Sequence, residues 1–90
     1  MKKDPVAIIH EALDVLGLPP MVSWHEINER YRTLAKKHHP DSGGDTQEMA
    51  KINWAYNILK EYVQNYRFSF SEEEILRQFP HAEYLKKFRF

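Results

Sequence analysis

His39, Asp41 and Ser42 stand almost side by side, with His38 next to them and Arg30, Arg32, Lys36 and Lys37 in the stretch just before. Three kinds of chemistry use such residues. A metal site needs imidazoles on one face, but adjacent helical residues diverge by about 100° and the chain has no His-x-x-x-His pair. With no cysteine there is no thiolate ligand or nucleophile either. A hydrolytic site would need a hydroxyl, a base and an orienting acid to converge on one reacting atom, which neighbouring loop residues do not do. Phosphate binding is opposed by Glu26 and Glu29 on the same segment and by a net charge of zero, 13 Lys plus Arg against 13 Asp plus Glu. No metal, cofactor, nucleic acid or enzymatic activity of the chain itself is therefore expected. What survives is recognition, because an anionic Asp41 beside a basic stretch offers both signs of charge to a partner surface.

Asp41 has to be held up for that purpose, and its neighbours say how. Pro40 lacks an amide donor and disfavours the α region for the residue before it, so a helix through Lys37 ends near His38 or His39. Upstream, Trp24, Ile27, Tyr31, Leu34 and His38 step by three and four, and Ser23 with Glu26 reads as a capping box at the start of that helix. Downstream, Ser42-Gly43-Gly44 is a turn, Asp45 or Thr46 caps a longer third helix, and Met49, Ile52, Tyr56, Leu59, Val63 and Tyr66 repeat the same stepping. Two narrow seams joined by a short loop predict an antiparallel hairpin with His39-Pro40-Asp41 at its tip.

The rest of the chain frames this hairpin. Asp4-Pro5 opens a first helix over about residues 5 to 16, with Ile9, Ala12, Leu13 and Leu16 on one face and Gly17 and Pro19-Pro20 as the stop. Ser71 with Glu74 reads as a second capping box, opening a short helix that Pro80 interrupts, and a last turn or two is expected from about His81 to Phe88. Phe68, Phe70, Phe79, Tyr84, Phe88 and Phe90 crowd the C-terminal stretch, where they are expected to pack over the first and third helices as added core. The 90 residues suit one all-α unit, 1–66, with a helical extension, 67–90, burying roughly three fifths of the surface of the unfolded chain. With neither a signal-like apolar run nor a stretch of transmembrane length, a cytoplasmic protein is the expectation, and with the tail rings packed on their own domain, a monomer.

Leu16-Gly17-Leu18, Tyr31-Arg32-Thr33-Leu34-Ala35-Lys36-Lys37, His39-Pro40-Asp41, the Gly43-Gly44-Asp45 turn and Ile52-Asn53-Trp54-Ala55-Tyr56-Asn57-Ile58-Leu59 occur in an order that resembles the J-domain of the DnaJ co-chaperones. The resemblance covers about residues 8 to 62 and rests on several motifs rather than on the bare tripeptide. It implies a short first helix beside the hairpin, and function by contact with a DnaK-type heat-shock ATPase whose hydrolysis the J-domain stimulates. His39, Pro40 and Asp41 match the family signal, Asp41 being expected to meet a cation on the chaperone. Tyr31, Arg32, Lys36 and Lys37 fall at positions that face or flank it. Ile27, Leu34, Ile52, Ala55, Tyr56 and Leu59 fall at core positions.

Without a Gly/Phe-rich linker, a zinc module or a large β domain, the chain resembles the third class of that family. It departs from the family at Leu13, where tyrosine is usual, and at Asn28, Glu29 and Thr33, where basic residues are usual. Fewer cations lower the electrostatically steered on-rate and blunt its salt dependence. The alternative is a degenerate J-like scaffold that binds proteins through its aromatic tail and stimulates no ATPase. Pro40 reduces the conformational freedom that the tip loses on binding. Pro40→Ala is therefore expected to weaken chaperone stimulation with helix content nearly unchanged by circular dichroism, and equal stimulation by mutant and parent would refute the role.

Overall fold

The computed structural model describes residues 4–39, 41 and 43–79, which form four helices and no strand. These are α1 (Pro5–Leu16), α2 (Trp24–His38), α3 (Thr46–Gln64) and α4 (Glu72–Gln78). The all-α class and the hairpin of α2 and α3 are as the spacing predicts. The final turns expected from His81 to Phe88, and the rings of Tyr84, Phe88 and Phe90, lie outside the described residues.

Local chemistry sets the helix ends. At the start of α1, the Asp4 carboxylate accepts the Val6 amide at 2.9 Å, and Pro5 fills a position where no amide donor is needed. The helix closes in a Schellman arrangement, the amides of Gly17 and Leu18 donating to Asp14 O at 3.0 Å and Leu13 O at 2.9 Å. Ser23 and Glu26 form the full capping box on α2, with bonds of 3.1 and 3.3 Å. Of the two candidates for α3, Asp45 is the cap, accepting from the Gln47 amide at 2.8 Å. On α4 only half the box forms. Ser71 Oγ accepts the Glu74 amide, but the Glu74 carboxylate accepts from Arg77 and Gln78 instead. Those longer side chains compete for it from the next turn of the same helix.

α3 is the central element, with α1 and α2 both packed on it and touching one another less. The core consists of Ala12, Leu13, Leu16, Ile27, Ile52, Ala55 and Leu59. The alanines at 12 and 55 are wholly buried, and their small side chains let α1 and α3 come close. The seam of α2 is shallower than that of α3, with Ile27 buried and Trp24, Tyr31, Leu34 and His38 half-buried. Aromatic rings fill that side. Tyr56 of α3 stacks on Trp24 and Tyr31, with ring centroids 5.6 and 4.2 Å away. Arg30 ties α2 to α1 by donating from Nε to Leu16 O at 2.7 Å, so a charged donor meets one of the free carbonyls at the end of α1.

Two expectations need correction. Tyr66 does not extend the α3 seam, because the helix ends at Gln64 and the tyrosine is half exposed, in edge contact with Tyr62 and Phe68. Phe68 and Phe70 do not add to the core either, being 69% and 82% exposed, and α4 buries no residue. The buried part of the α1–α3 seam is made by aliphatic side chains of the two helices themselves, and α3 ends at Gln64, before these rings occur.

Leu59 and Leu34 then separate the two seams energetically. Leu59→Ala opens space at a fully packed position and should cost about 2–5 kcal/mol, whereas Leu34→Ala at a half-buried one should cost distinctly less. Urea unfolding of both variants checks the order, and a Leu59→Ala protein as stable as the parent would show that α3 does not carry the core.

Candidate functional site

The tip of the hairpin is closed by main-chain and side-chain bonds around His39. The Gly44 amide donates to His39 O at 3.0 Å, spanning the tripeptide and bringing the chain back toward α3. Inside that closure, the Asp41 amide donates to His39 Nδ1 at 3.1 Å, while Asp41 Oδ2 lies 3.7 Å from the same nitrogen. The two contacts ask opposite things of Nδ1, a lone pair for the amide and a proton for the carboxylate. The shorter and better-formed amide bond takes the lone pair, which places the ring proton of a neutral His39 on Nε2. Asp41's side chain is 92% exposed, so its carboxylate is presented to solvent on a backbone fixed by the histidine.

Two glycines make this turn for different reasons. Gly43 adopts φ +78°, the left-handed region that side chains disfavour, with open space around it. Gly44 is set by close approach. A Cβ there would run into the backbone carbonyl carbon and oxygen of His38, the last residue of α2, and a backbone carbonyl cannot swing aside as a flexible side chain can. Reading Ser42-Gly43-Gly44 as a turn located the feature without this second requirement, which depends on where α2 ends in space. Ser42, like Pro40, lies outside the described residues.

The remaining candidate residues lie on α2. Tyr31, Arg32, Lys36 and His39 line one shallow groove that joins the helix face to the tip, and Lys37 stays outside it. Their side chains are engaged unequally. Tyr31 donates its hydroxyl to Asn53 Oδ1 of α3 at 2.6 Å. Arg32 Nη1 pairs with Glu29 Oε1 at 2.6 Å, while Lys36 and Lys37 form no ion pair among the described residues. Arg30, which shares this basic stretch, is committed to Leu16 O. Asn28 was missed as a structural residue. Its Oδ1 accepts from Tyr56 OH at 2.7 Å and its Nδ2 donates to Trp24 O at 2.9 Å, so it joins α2 to α3.

The comparisons with known proteins agree with this geometry. The family model described as DnaJ domain matches residues 11–68. The chain is 39% identical over 70 residues to the DnaJ protein ERDJ3B of Oryza sativa, an overlap covering 73% of this chain and 20% of that protein. It is 35% identical over 74 residues to the chaperone protein DnaJ of Mycoplasma mobile, covering 79% of this chain and 18% of that one. With the human DnaJ homolog subfamily A member 2 the identity is 43% over 47 residues, 51% of this chain and 11% of the relative. The chain thus spans about a tenth to a fifth of the length of these relatives. No solved structure matches it.

The tip offers a test that leaves the hairpin largely intact. Gly44→Ala should cost about 1–3 kcal/mol and shift backbone amide resonances around residues 38–46, because the added carbon overlaps the end of α2. Gly43→Ala, strained in φ but free of contacts, should cost about 1–2 kcal/mol and leave the His38 resonances nearly in place. Identical shifts in both variants would mean that the close approach at Gly44 does not shape the turn.

Proposed function

The chain belongs to the DnaJ domain family, and on that footing we propose that it is a co-chaperone that docks on a DnaK-type heat-shock ATPase through α2 and the tip and stimulates its ATP hydrolysis. The observation that carries this is the tip itself, an exposed Asp41 carboxylate on a backbone held by His39 Nδ1, continuous with a helix face that carries Arg32 and Lys36. An anion on a held backbone beside the cations of one helix face suits a partner surface bearing both charges, and preorganisation of that backbone reduces the ordering cost of docking. Lys37 flanks that face, and Tyr31 supports it from beneath through its bond to Asn53. The chain contributes contact and leaves the chemistry to the chaperone.

A second reading, a J-like scaffold that binds another protein without stimulating an ATPase, draws on the exposed rings of Tyr66, Phe68 and Phe70. Exposed aromatics of this kind are suited to protein contacts. The two readings part at Asp41. In single-turnover ATP hydrolysis by a DnaK-type chaperone, the protein should accelerate the reaction severalfold and Asp41→Asn should return it to the basal rate. Stimulation absent from parent and mutant alike, across several such chaperones, would favour the scaffold.

A further inference from the structure

Along the outward side of α2, polar side chains sit in an order that the docking surface alone does not explain. Asn28 turns to α3, where it meets Tyr56, and the Thr33 hydroxyl donates to Glu29 O at 3.0 Å within its own helix. Neither is available to a partner as a free charged group. Glu29 and Arg32 remain, and they satisfy each other at 2.6 Å with side chains 55% and 69% exposed. One turn nearer the tip, Lys36 and Lys37 are exposed and have no ion pair among the described residues. The face is therefore divided into a self-neutralised half and a cationic half.

We infer that Glu29 is a specificity-determining residue, which holds the Arg32 guanidinium on its own helix and leaves Lys36 and Lys37 as the cations that a partner reads. This rests on the docking proposed above. An anion of the partner aimed at Arg32 must displace a carboxylate that then stays beside it as a like charge. An anion aimed at Lys36 or Lys37 meets no such competitor. The partner that suits this chain is one whose acidic residues gather against the half of α2 next to the tip. Because the Glu29–Arg32 pair is exposed and screened by salt, it grades affinity rather than abolishing binding.

A double-mutant cycle on the full chain tests the assignment, read as the half-saturating concentration for stimulating a bacterial DnaK. Glu29→Gln should lower that concentration roughly two- to fivefold in the parent and leave the maximal rate unchanged, in keeping with the strength of an exposed pair. In an Arg32→Gln background the same change should have almost no effect. An equal gain in both backgrounds would show a general charge effect and overturn the inference, as would no gain or a loss in the parent. If the parent does not stimulate at all and coincides with Asp41→Asn, the docking reading itself falls and this one with it.

Discussion

Tyr56 is the constraint on which the geometry of this domain turns. Its ring lies between those of Trp24 and Tyr31, and its hydroxyl donates to Asn28, so one side chain of α3 holds three positions on a single face of α2. Stacking fixes the separation of the helices, and the hydrogen bond fixes the rotation of α2 about its axis, because Asn28 is simultaneously tied to Trp24 O. Once that rotation is set, Arg32 and Lys36 face outward and the end of α2 meets the returning chain at Gly44. The polarity of the seam costs little, since among the described residues no buried side-chain polar atom lacks a partner.

Recognition by such a surface does not require a cleft. An apolar groove does exist, lined by Val6, Ile9, Ile58 and Tyr62, but it lies between the start of α1 and the end of α3, at the opposite end of α3 from the tip. At the tip the structure instead offers an exposed carboxylate, a histidine that organises it and a shallow cationic strip. Charges presented in this way act through orientation and steering, and both depend on the rigidity of the scaffold beneath them.

How much of this could be read in the sequence depended on the range of the interaction. Asp4-Pro5, Ser23 with Glu26, and Asp45 marked the helix starts because capping is settled within three residues, and Gly17 marked a stop for the same reason. The hairpin followed from two seams with a common period and a proline between them. Tyr31 and Asn28 were harder. Both owe their roles to α3, and Asn28 reads as a lost surface cation until the turn of the helix brings it under Tyr56. Gly44 required the position of His38 in space, which no local pattern carries. The rings of Phe68 and Phe70 misled for the opposite reason. Apolar character says what a side chain gains from burial, and it does not say whether the chain leaving α3 carries the ring to an apolar surface.

The bond from Arg30 to Leu16 O bears on how this domain tolerates inherited change. The acceptor belongs to the main chain, so it is the same whichever residue occupies position 16. Only one partner in the α1–α2 latch is exposed to mutation, and the packing of Leu16 can drift among apolar residues while the latch persists. An ion pair in its place would have required two codons to change together. Arg30 thus concentrates the genetic burden of that contact at one position, and the end of α1 answers to other constraints, the burial of Leu16 and the left-handed turn at Gly17.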